Sequence, residues 1–246
     1  MRILPLLLLL APLAAQDPDV RQRPRFDIDF SLGGGRFEHK TDGSDLDDHT
    51  DAAIFRLRFE ATTRHGIGGG IRIEGIGTDD DLFTDAGFNA TEASSGSLFG
   101  HFTYRAVADR FAMPVRIGLL LNGYQLADQV TDEEVSYGSI GPYLEVAPEF
   151  TLFARRDFRW TLFGEAGVGV AATSIDVEGD YRDYVSDTTF AGLEFGTRFD
   201  FGPMDLTISA IGRWQSMAES DVEDGQVVLG YDSEFRGLMI SFGATF

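Results

Sequence analysis

Cysteine is absent from the 246 residues, and lysine occurs once, at Lys40. Without cysteine there is no disulfide scaffold, thiolate metal site, cysteine nucleophile or lipid-modified N-terminal cysteine. Basic residues are scarce, 20 against 40 acidic ones, and the formal charge is −20. Nothing here could displace counterions from phosphates, so nucleic acid is excluded as a partner. Long hydrophobic runs are missing too. The longest, Ile3 to Ala15, is 13 residues, and a membrane-spanning helix needs about 20. What the chain does have is 29 glycines, 21 phenylalanines and 43% hydrophobic residues, far too many for a disordered segment.

Residues 1–16 place one charge, Arg2, before a leucine-rich run that ends in the small residues Ala14 and Ala15. These are the parts of a secretory signal peptide, with cleavage after Ala15 or Gln16. Residues 17–24 then form a polar leader, expected in the periplasm, and residues 25–246 the exported domain.

From Phe26 onward the dominant period is two. Phe26, Ile28, Phe30 and Leu32 alternate with Asp27, Asp29, Ser31 and Gly33, as in a strand with one apolar and one polar face. The pattern recurs over 53–61, 67–73, 98–106, 115–121, 140–146, 160–170, 193–199, 206–214 and 238–246. That makes ten candidate strands; the glycine-rich third leaves eight or twelve compatible with the pattern. Counted from one connection to the next, most reach the 9 to 11 residues with which a tilted strand crosses a bilayer. Connections alternate between short (63–66, 108–114, 152–158, 202–204) and long (38–51, 78–94, 125–136, 174–187, 217–232). This asymmetry is the layout of outer-membrane barrels, long loops outside. The spacing therefore predicts an all-β chain: one closed antiparallel transmembrane β-barrel of ten strands.

Charge sorts with the loops. The five long ones hold 25 of the 40 acidic residues, with only Lys40 and Arg182 as bases. On the polar strand faces, Arg25, Arg56, Arg58, Arg72, Arg105, Arg116, Arg159, Arg198 and Arg213 meet Asp27, Asp29, Glu60, Glu74, Glu145, Glu165, Glu194, Asp200 and Asp205. Such parity suits a confined polar interior, where guanidinium and carboxylate pair and unpaired charge is costly. A soluble lipocalin-like barrel would instead turn its apolar face inward. Strand length, loop asymmetry and aromatics near the short-turn end (Phe59, Tyr104, Trp160, Phe199, Phe201, Phe246) favour the membrane orientation. Trp214 is the best girdle member at the other end.

The final segment GLMISFGATF, with Leu238, Ile240, Phe242 and Phe246 on one face, resembles the closing strand and assembly signal of bacterial outer-membrane β-barrel proteins. In size the chain resembles the small OmpA/OmpX-like and omptin-like barrels. The resemblance implies recognition by the barrel-assembly machinery, contact with outer-membrane lipid and lipopolysaccharide, and residence in the bacterial outer membrane.

Chemistry is sparse. His39 and His49 fall in the first long loop, His65 in a short turn and His101 on an interior face. Omptin proteases use an Asp-x-Asp and an Asp-x-His pair across the barrel mouth. Asp79-x-Asp81 and Asp47-x-His49 match in type, but the order is reversed and the loops are adjacent. Loops this acidic produce Asp-x-Asp by chance, so no catalytic residue is assigned. The acidic runs at Asp42, Asp45, Asp47 and Asp48 and at Asp79, Asp80, Asp81 and Asp85 lack EF-hand spacing, so no cofactor or metal site is expected, only diffuse divalent cations. The expected role is a non-enzymatic structural or surface-interaction barrel. A narrow cation-preferring porin-like channel is the alternative, and an omptin-like protease stands third.

Overall fold

The computed structural model describes residues 24–43, 47–79, 82–83, 91–128, 134–178, 184–221 and 225–246. The expected signal peptide lies outside the described residues, as do Asp45, Asp80, Asp81, Asp85 and Arg182. The period-two segments form strands β1 (Arg25–Thr41), β2 (Asp47–Thr62), β3 (Ile67–Thr78), β4 (Thr91–Ala108), β5 (Phe111–Asp128), β6 (Glu134–Val146), β7 (Glu149–Arg155), β8 (Phe158–Val177), β9 (Tyr184–Phe201), β10 (Met204–Met217) and β11 (Tyr231–Thr245). All pairings are antiparallel. The first and last strands pair from Asp27↔Thr245 to Thr41↔Tyr231, and β4 with β5 completes the ring. Phe26 and Phe246 exchange backbone hydrogen bonds at the seam (3.1 and 2.9 Å). Closure leaves no sheet edge, which a wall facing hydrocarbon requires.

Eleven strands occupy ten wall positions. β6 and β7 are one wall element interrupted at Ala147–Pro148, and both pair with β8. Proline has no N–H for the ladder, so the break falls where the sequence supplies Pro148. A bulge follows between Thr151 and Phe153. The glycine-rich third strand is present over twelve residues.

Two expectations need correction. Much of the first, third and fourth long connections is wall: Glu38–Thr41 stays paired with β11 and Glu38–Lys40 with β2, while residues 125–128, 134–136, 174–177 and 184–187 also belong to strands. At this end of β1, β2 and β11 the outward positions carry Arg36, Glu38, Lys40, Asp47, His49, Asp51, Asp232, Glu234 and Arg236. The ladder continues above the bilayer while the apolar alternation stops, so pattern alone reads the extension as loop. The second correction is Arg159. It stands at the short-turn rim, its side chain 52% exposed and 3.9 Å from Asp200, because β8 begins one residue earlier.

Outward faces form an apolar belt. Phe102, Phe195, Phe242 and Leu238 are each more than 60% exposed, an arrangement stable in lipid and not in water. Inward faces carry the charges. Among the glycines that allow a close approach is Gly167 on β8, across which the inward Tyr143 ring lies; a Cβ at Gly167 would overlap its hydroxyl. Gly167→Val should lower the temperature of the heat-dependent gel-mobility shift, a loss of about 1–3 kcal/mol. Adding Tyr143→Ala should recover part of it; an unchanged transition in Gly167→Val would refute the contact.

Candidate functional site: a closed barrel interior

The interior begins with a conflict in the register. Directly opposed residues include Arg58↔Arg72 on β2 and β3 and Glu165↔Glu194 on β8 and β9. Like charges facing each other along a sheet are destabilising. Relief comes from across the lumen. Arg56 Nη1 donates to Glu194 (2.7 Å) and its Nε to Glu74 (2.8 Å). Arg58 donates to Glu165 (3.2 Å), and Arg72 to Glu165 (2.8 Å) and Glu145. Arg213 holds Glu74 through Nε and Nη2 (2.7 and 3.0 Å). Arg116 joins Glu60 (2.7 Å) to Glu145 (2.6 Å). β2 and β9, β3 and β8, and β3 and β10 stand four places apart in the ring of ten, so Arg56–Glu194, Arg72–Glu165 and Arg213–Glu74 bridge nearly opposite walls, whereas Arg56–Glu74 and Arg116–Glu145 join opposed residues of neighbouring strands. Arg56 is 2% exposed. Forks of this kind satisfy charge and geometry together.

Nearer the short-turn end a second group gathers around Glu149. It accepts from Arg105 Nη2 (2.7 Å) and lies 3.4 Å from Arg198 Nη2. Sequence reading missed Glu149, which sits just after Pro148, where the alternation is interrupted. Two interior positions past Glu145 would have marked it. His101 faces inward, with Nε2 3.5 Å from Glu60 Oε2.

The outer half of the interior is different in kind. Phe37, Tyr124, Tyr137, Tyr231, Phe235 and Met239 pack into one buried cluster with His39. The His39 ring stacks on Tyr124 (centroids 5.8 Å apart) and Tyr231 (5.2 Å), and Phe83 meets its edge. Its nitrogens lie 2.7 Å from the Tyr124 hydroxyl and 3.2 Å from the Thr41 hydroxyl, one accepting and one donating as in a neutral imidazole. His39 stands above the apolar belt, level with the outward Glu38 and Lys40. Burial holds its pKa down to about 4, only partly offset by Asp232. Extending the alternation of the apolar faces would have placed Phe37, Phe99, Tyr124, Phe235 and Met239 inward.

Asp47 and His49 lie on the outward face of β2. The His49 amide donates to Asp48 (2.7 Å), and Asp48 also accepts from the Phe83 amide (2.6 Å). Asp79 follows β3, its amide bonded to the Asp51 carbonyl (3.2 Å); Asp81 is outside the described residues. The structure therefore does not bring Asp47, His49 and Asp79 together across the mouth. Among the described residues no group of three or more His, Asp or Glu is placed to hold a metal ion. Leu238, Ile240, Phe242 and Phe246 all face outward and are exposed.

No family model matches the chain, and no curated protein does. Solved structures do. The outer membrane protease OmpT of Escherichia coli aligns over 94% of this chain and 99% of that one, with a TM-score of 0.52 at 11% identity. The fold is that of a bacterial outer-membrane β-barrel. Fainter likenesses run to the translocator domain of the autotransporter NalP of Neisseria meningitidis (10% identity, 96% and 94% covered, TM-score 0.42). The attachment invasion locus protein Ail of Yersinia pestis also aligns (13% identity, 91% and 99% covered, TM-score 0.32). Identities this low speak for the outer-membrane barrel fold alone.

Two outcomes follow for this outer-membrane barrel. Arg56→Met strands two buried carboxylates and should cost about 3–5 kcal/mol in urea unfolding; the double variant with Glu194→Leu should be less affected, and equal loss in both would contradict cross-lumen coupling. For His39, a folded pKa below the ordinary 6.5 means that the unfolded chain binds more protons between pH 6.5 and 4. Its contribution is complete above pH 6.5 and is lost as pH falls towards 4. The transition temperature should therefore drop between pH 7 and 4.5, and drop less in His39→Phe; equal drops would remove His39 from the account.

Proposed function

We propose that this chain is a sealed, non-catalytic outer-membrane barrel whose work is done at its surface. Residues 1–16 direct its export, the outward face of β11 is recognised by the assembly machinery, and acidic connections are presented outside the cell beside lipopolysaccharide, with diffuse divalent cations. The observation that carries the reading is the doubly blocked interior. Cross-lumen ion pairs fill the middle, and the His39–tyrosine cluster fills the outer half. The cavities within the ion-pair network are small, about 70, 50 and 40 Å³, and the larger recess of about 670 Å³ beside His39 is lined largely by outward residues such as Lys40, Trp214 and Glu234. The 70 Å³ cavity has room for a few waters and lies between the Arg72–Glu74–Arg213 layer and Phe37 and Phe235. Wide aqueous channels belong to barrels of about 16 to 18 strands.

A cation-preferring channel would need both layers to part. A protease would need an acid and a histidine turned to one cleft, and Asp47 and His49 face outward instead. The refolded protein should be silent in planar bilayers at neutral pH and inert towards peptide substrates. Steady cation-selective steps would overturn the sealed reading, and peptide cleavage lost in His49→Ala would overturn the non-catalytic one.

A further inference from the structure

The two ends of the barrel differ in charge. The long-connection end carries most of the acidic excess. The short-turn end carries Arg64, Arg110, Arg155, Arg156 and Arg159 against Asp109 and Asp157. Among the described residues, Arg155 and Arg156 have no carboxylate at ion-pair distance, and Arg159 reaches Asp200 only at 3.9 Å. These three arginines line a recess of about 500 Å³ that opens at this end. Arg105 lines the same recess, and its Nε is buried without a hydrogen-bond partner. Asp157 and Asp200 line the recess as well, two carboxylates against the five guanidinium groups of Arg25, Arg105, Arg155, Arg156 and Arg159, and the fork geometry of the excess guanidinium groups fits phosphate oxygens.

The wall beside the recess adds a second chemistry. Phe158 lines the recess and also packs on Phe153 and Phe201 (centroids 6.0 and 5.5 Å), both about half exposed on the outer wall. An apolar path thus runs from the basic recess to the belt that meets acyl chains. We infer that this recess binds the phosphate of an anionic phospholipid from the inner leaflet, held by Arg155, Arg156 and Arg159, with its chains against Phe153 and Phe201. A free phosphate would use the arginines and leave the aromatic path unused.

Native mass spectrometry of the detergent-solubilised full barrel tests this with phosphatidylglycerol, phosphatidylcholine and inorganic phosphate. Phosphatidylglycerol should be retained about tenfold more than phosphatidylcholine, a difference of about 1.4 kcal/mol. The preference should vanish in R155Q/R156Q/R159Q, whose heat-shifted migration shows that it folds, and persist in R64Q, which lies outside the recess. Inorganic phosphate at equal concentration should not displace the lipid. Equal retention of the two lipids by the wild type overturns the proposal, whatever the variants do. A preference that survives the triple change, or disappears equally in R64Q, overturns the site. Displacement by inorganic phosphate overturns the lipid as its ligand.

Discussion

Pairing of guanidinium and carboxylate across the lumen is the constraint to which the rest of the barrel answers. The strand register forces Arg58 beside Arg72 and Glu165 beside Glu194, an arrangement that a sheet open to water would tolerate poorly. It becomes favourable only when opposite walls come close enough for Arg58 and Arg72 to reach Glu165 and for Arg56 to reach Glu194. A ring of ten strands supplies that distance. A wider ring would leave Glu165 facing Glu194, and Arg58 facing Arg72, without these partners across the lumen, and the cost of an unpaired buried charge exceeds that of most other defects.

The outward face follows from the same closure. With every ladder bond made around the ring, the wall can meet hydrocarbon, and the charges it cannot show there are turned inward. Above the belt the demands reverse. Outward positions become charged, as at Arg36, Glu38 and Glu234, while inward positions become aromatic, as at Phe37, Tyr124 and Tyr231. The outer half of the lumen is therefore packed like the core of a soluble protein, and the inner half is cross-linked by ion pairs.

Most of the wall was legible in the sequence because a half-buried strand writes its two faces in alternation. Strand identity and inward and outward parity could be read that way, while the closing role of β11 rested on its resemblance to the last strand of outer-membrane barrels. The long connections were misread in part, since a strand wet on its outer face loses the alternation while keeping its ladder. Pro148 hid Glu149 for a related reason: the interruption broke the pattern just where an interior acid lay. Arg159 has the right parity but the wrong height, and height along the barrel is set by where β8 starts rather than by alternation. The partner of each charge was not legible at all. Which arginine meets which glutamate depends on the shear of the closed ring, a property of all ten positions together.

The interior is packed and closed, and the absence of cysteine makes this open to a direct measurement. Ser209 is 2% exposed on the inward face of β10, so Ser209→Cys places a single thiol inside the wall. Its rate of modification by a small cationic thiol reagent, compared with that of Lys40→Cys on the exposed outer wall, reports on access. A packed interior leaves the Ser209→Cys thiol unmodified while the Lys40→Cys thiol reacts to completion. Comparable rates at the two positions would mean a water-filled lumen and would contradict the account.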